Sequence, residues 1–139
     1  DVYKRQPGEI AMSTYLTATG IAVSDLDAST NFYKEILGMV VHRTITLDIM
    51  VENILGFEGV RGTAILLMQY HDRRNCTDLP TKLVFNVPDV RSIIEIARAA
   101  NVDIYKEAAE YESMGGSIIG LIKDPDGYLI ELMQKPAKK

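Results

Sequence analysis

The second half of this 139-residue chain repeats the first at an offset of 64 to 65 residues, and nothing else in it limits the possible folds so tightly. Ile21-Ala22-Val23-Ser24-Asp25-Leu26 returns as Phe85-Asn86-Val87-Pro88-Asp89-Val90, an apolar strand stopping at an Asp. Leu66-Leu67-Met68-Gln69 returns as Glu131-Leu132-Met133-Gln134. Each copy is too short to bury a core alone, so the two are expected to pack as one body.

Within the first copy, alternation over residues 15–23 predicts a strand. Asp25 or Asp27 can cap the helix that follows, and Gly38 can close it. Leu26, Phe32, Tyr33, Ile36 and Leu37 supply its apolar stripe. Strands are expected over 40–47, 49–55 and 63–70, with a turn at 56–62. The second copy predicts a strand over 82–87, a helix from Pro88-Asp89 through Ala100, and strands over 102–105 and 117–123. Asp124-Pro125-Asp126-Gly127 is a turn signal before the last strand, 128–134. Residues 108–116 read as a polar loop with a Gly115-Gly116 hinge, long enough to serve as a lid.

The expected fold is therefore α+β, two tandem βαβββ modules forming a half-barrel with a central cleft. Module 1 spans about 15–70 and module 2 about 81–134, inside one domain of residues 12–139. Residues 1–11 read as a non-native leader of environmental-library origin, with the chain proper starting at Met12.

A net charge of −4, with no basic stripe beyond Lys135, Lys138 and Lys139, argues against nucleic acid as a partner. The single cysteine, Cys76, excludes an internal disulfide and fits a reducing cytoplasm. No apolar run approaches the ~20 residues needed to cross a bilayer.

The repeat resembles the vicinal oxygen chelate superfamily, which holds glyoxalase I, extradiol dioxygenases and bleomycin-binding proteins. The resemblance rests on Val23-Ser24-Asp25-Leu26-Asp27-Ala28-Ser29, Phe32-Tyr33, Leu37-Gly38-Met39 and Val87-Pro88-Asp89-Val90. It is completed by Lys123-Asp124-Pro125-Asp126-Gly127-Tyr128-Leu129-Ile130-Glu131-Leu132. It implies four metal-ligand slots, on the first and last strand of each module. They fall on Ala18, Leu66, Lys82 and Glu131, and only Glu131 can ligate. The expectation is no metal and no cofactor. The superfamily also makes a homodimer the default partner state.

If that register holds, alternate residues of four strands line the cleft. They are Ala18, Gly20 and Ala22; Ala64, Leu66 and Met68; Lys82, Val84 and Asn86; Leu129, Glu131 and Met133. The result is an apolar hollow with one carboxylate, one amine and one amide, suited to a small-molecule ligand. Arg43 is a further candidate for an anionic substrate group. Glu131 and Lys82 are placed to form an ion pair and are the candidate catalytic residues.

Three functions follow from that cleft. The first is a metal-independent isomerase or lyase acting on a small hydrophobic carbonyl compound, with Glu131 as acid/base. The alternative is a protein that sequesters a hydrophobic or aromatic molecule, as antibiotic-binding relatives do. The third is a divalent-metal lyase or dioxygenase using other ligands.

Overall fold

The computed structural model describes residues 14–60 and 64–137; the proposed leader lies outside the described residues. Module 1 runs β1 (Ala18–Ala22), α1 (Leu26–Leu37), β2 (Val40–Thr46), β3 (Met50–Gly56) and β4 (Ala64–Tyr70). Module 2 runs β5 (Lys82–Asn86), α2 (Val90–Ala99), β6 (Ile104–Tyr111), β7 (Ser117–Lys123) and β8 (Leu129–Gln134). Each module is one four-stranded sheet, ordered β1-β4-β3-β2 and β5-β8-β7-β6, whose first and last strands run parallel. The repeat is thus two βαβββ units, the expected fold class.

Local chemistry sets the helix ends. The Asp25 carboxylate accepts the Ala28 N–H at 3.1 Å, and Asp89 accepts that of Ser92 at 3.1 Å. Gly38 closes α1 with φ 75°, a left-handed conformation that favours glycine. On the helix side of module 2, an added Cβ at Gly120 would lie 3.1 Å from the Ile94 Cδ1, so glycine lets α2 lie close to β7.

The lid expected over residues 108–116 is not a loop. The edge strand β6 continues to Tyr111, and a 3-10 turn over Glu112–Met114 leads into Gly115. Its polarity misled because Lys106, Glu107 and Glu110 are the solvent-facing charges of an edge strand.

One core joins the modules. Ile21, Val23, Phe32, Tyr33, Leu67, Val90, Ile94, Ile130 and Leu132 belong to a single buried cluster beneath both helices. The opposite sheet faces remain open: Gly20 and Asn86 are exposed, and Val84 is 51% exposed in the middle of its sheet. These open faces carry the alternate residues expected to line the cleft, Ala18, Gly20 and Ala22 on β1 and Lys82, Val84 and Asn86 on β5.

The turn after β7 clasps module 1. Asp124 accepts the Tyr33 hydroxyl at 2.7 Å, Tyr128 donates its hydroxyl to the Ala22 carbonyl at 2.6 Å, and the Ser24 hydroxyl donates to Asp126. Burial, reinforced by the charges of Asp126, Cys76 and Asp124, pushes the Tyr128 phenol from near 10 up to about 12. Burial, then the Asp124 charge, pushes Tyr33 higher still. Because both folded values are raised, the stability held by these protonated hydroxyls is complete below the ordinary phenol range. It is lost as pH climbs through the folded values. The melting temperature should thus fall from near pH 10 upward, and tyrosinate absorbance should rise with unfolding. A flat stability profile to pH 12 would contradict the clasp.

Candidate functional site

The predicted alternation is present in both modules. Ala18, Gly20 and Ala22 pair with Ala64, Leu66 and Met68, while Lys82, Val84 and Asn86 pair with Leu129, Glu131 and Met133. Each set lies on the face away from its helix. The other parity, Ile21, Ile65, Leu67, Ile130 and Leu132, fills the core.

Lys82 Nζ lies 2.9 Å from Glu131 Oε1, with side-chain exposures of 51% and 15%. Glu131 sits between Val84 on β5 and Leu121 on β7, so apolar neighbours limit its hydration. The pair orients the carboxylate, and its ammonium side is open to solvent.

Across the modules, the structure joins only part of the predicted set. Ala64, Val84 and Asn86 meet in a hollow of about 330 Å³ with Thr19, Met39, Phe57, Val60, Ile65, Leu83 and Phe85. Phe57 and Phe85 meet edge to face there, ring centroids 6.3 Å apart. Glu131 and Lys82 do not line this hollow; Val84, the register partner of Glu131, does. Of the expected set, Ala18, Gly20, Ala22, Leu66, Met68, Lys82, Leu129, Glu131, Met133 and Arg43 do not line it. Arg43 is exposed on β2 and shares the open face with Leu66 through Ile54; it makes no ion pair among the described residues.

A second, polar hollow of about 420 Å³ lies at the end of β4, lined by Ser24, Gln69, Tyr70, His71, Arg73, Arg74 and Cys76 among others. Arg74 is held by Asp72 and stacks 3.5 Å over Tyr70. Cys76, in the loop between β4 and β5, is buried.

The slots do not fit a divalent ion. Ala18 and Leu66 offer no donor, Lys82 is a cation, and Glu131 is already bound to it. Among the described residues no three His, Cys, Asp or Glu side chains lie together as a ligand group.

One carboxylate outside the expected lining set also reaches the open face; with His42 and His71 it is a residue left over for a metal site built on other ligands. Glu52 on β3 is 8% exposed and pairs with Met68, which places it on the open face. Its signal is an acid in a strand whose only other polar side chain is Asn53, but the repeat gives it no counterpart. The matching position beside Met133 is Ile119.

Comparison with known proteins decides the family. The model described as Glyoxalase/Bleomycin resistance protein/Dioxygenase superfamily matches residues 15–132. The chain belongs to this superfamily. It is 33% identical over 122 residues to a probable lactoylglutathione lyase of Vibrio parahaemolyticus, covering 84% of this chain and 87% of that one. It is 30% identical over 118 residues to a lactoylglutathione lyase of Arabidopsis thaliana, covering 81% of this chain but 41% of the plant protein. This chain thus spans about two fifths of that plant relative. Among solved superfamily structures, the trypanothione-dependent glyoxalase I of Leishmania major aligns with TM-score 0.67 at 28% identity, covering 88% of each chain. TnmS3, an antibiotic binding protein from Streptomyces sp. CB03234, aligns with TM-score 0.72 at 16% identity, covering 89% of this chain and 98% of its own. At that identity the likeness is one of fold alone.

Proposed function

We propose that this chain is a glyoxalase-like lyase or isomerase that moves a proton alpha to the carbonyl of a small hydrophobic compound, without a metal ion. The observation that carries this reading is the Lys82–Glu131 pair, 2.9 Å apart on the strand face whose Val84 and Asn86 line an apolar hollow. Relatives named lactoylglutathione lyase support the reaction class. The altered ligand slots support its metal independence.

In this scheme the Glu131 carboxylate takes the proton from the carbon next to the carbonyl. The electron pair moves onto the carbonyl oxygen, and the Lys82 ammonium donates a hydrogen bond to the enolate that forms. The Asn86 amide, on the same face, orients the substrate. Return of the proton to a neighbouring carbon completes an isomerisation; loss of a leaving group instead completes a lyase reaction.

The test is proton–deuterium exchange, followed by NMR in D2O, of aromatic and aliphatic 2-oxo compounds with the purified protein. Exchange above the buffer rate supports the reading. A compound that binds saturably yet returns unexchanged and unaltered supports the second reading, sequestration. That reading draws on the apolar hollow and on a carboxylate already neutralised by Lys82.

A homodimer belongs to the same proposal. Val84, 51% exposed in the middle of its sheet, supports covering by a second copy. Such contacts need roughly 1,200–2,000 Å² of buried surface. Light scattering during gel filtration should give twice the 15.5 kDa chain mass; a monomer at all concentrations would refute it.

A further inference from the structure

We infer that Glu52 is a second functional carboxylate, which recognises a cationic or hydrogen-bond-donating end of the ligand. The inference deepens the proposed function, since it rests on the open face receiving a small molecule.

Burying a carboxylate without a partner is costly, so native structures pair such groups. Glu52 is 8% exposed, yet among the described residues it makes no hydrogen bond or ion pair. Its oxygens are nevertheless not sealed from solvent, since Ser29 Oγ is the only fully shielded and unpartnered side-chain atom among those residues. The group is therefore walled by its neighbours while its tip stays reachable.

The walls are apolar. Glu52 lies between Ile45 on β2 and Met68 on β4, with Tyr70 one pair further along β4 on the same face. Met68 leans toward β1, where an added Cβ at Gly20 would lie 3.0 Å from its sulfur. The Tyr70 ring already carries the Arg74 guanidinium 3.5 Å over it, so a carboxylate walled by Ile45 and the Met68 thioether suits an alkylammonium or similar donor attached to an apolar body.

Comparing the modules strengthens the assignment. Module 2 carries its carboxylate on its last strand at Glu131, with apolar Leu121 beside it on β7. Module 1 reverses the arrangement, with apolar Leu66 on its last strand and an acid on β3, one pair along. Each open face thus keeps one acid, but only Glu131 has a cation of the chain to neutralise it.

The probes are benzylamine and benzoate, titrated into the full chain and followed by NMR, with thermal unfolding of each variant. Saturable benzylamine binding is expected, weakened at least about 10-fold in Glu52→Gln and unchanged in Glu112→Gln. Benzoate should not compete. Glu52→Leu should melt about 2–4 °C above the wild type, because it removes a carboxylate kept at the expense of stability. Absent benzylamine binding, or equal binding by Glu52→Gln, would overturn the inference. So would a Glu52→Leu variant that melts well below the wild type, since that marks a structural acid. None of these outcomes depends on proton exchange, so the failure of the proposed reaction would be seen separately.

Discussion

Glu131→Gln should lower α-proton exchange by at least about 100-fold while leaving the melting temperature close to that of the wild type. The amide keeps the length of the side chain and an oxygen for the Lys82 ammonium, now 2.9 Å from the carboxylate, but it cannot accept a proton from carbon. With 15% side-chain exposure and Val84 and Leu121 alongside, little else in the surroundings responds to the change. The loss should appear in kcat rather than KM, because the acid acts on the reacting carbon and not on the apolar body of the substrate. Lys82→Met gives an independent check. It should also slow exchange, through weaker stabilisation of the enolate, without abolishing it. Equal rates for Glu131→Gln and the wild type would end the catalytic reading and leave sequestration, whose sign is unaltered ligand recovered from a saturable complex.

The pairing of Lys82 with Glu131 was legible because strand alternation and the offset of the repeat are both local to the chain. The same alternation assigned Leu66, Met68, Val84 and Met133 to the faces away from the helices, where they lie. What stayed hidden was the relation between the modules. Which lining residues of the two modules meet in one hollow depends on how the two sheets pack, and no strand's composition encodes that. The place of Glu52 on the open face was hidden for a related reason: it has no counterpart in the repeat that assigned the lining residues. The strand β6 was missed because an edge strand with charges on its solvent side has the composition of a loop. The clasp was half legible. Asp124-Pro125-Asp126-Gly127 announces a turn, but only the fold brings that turn against Tyr33 and Ser24, some 90 to 100 residues earlier.

That clasp makes Asp124 the residue whose loss should harm the fold most. Its carboxylate is 5% exposed and accepts three hydrogen bonds: the Tyr33 hydroxyl at 2.7 Å, the Asp126 N–H at 2.9 Å and the Tyr128 N–H at 3.0 Å. Burial raises its pKa, and the three donors oppose that rise. Asp124→Ala would strand all three donors, including a phenol on a fully buried ring, and should destabilise the chain by about 3–5 kcal/mol. Asp124→Asn keeps an oxygen for the two backbone donors and presents an amide to a hydroxyl that can turn to accept from it. It should cost only about 1 kcal/mol, since the charge itself is disfavoured by burial. Chemical denaturation of both variants separates the two contributions. If Asp124→Ala unfolds within about 1 kcal/mol of the wild type, the turn is merely local and the modules hold together by their shared apolar core alone. A double-mutant cycle with Tyr33→Phe should then show no coupling, whereas the clasp requires that the two substitutions share most of their effect.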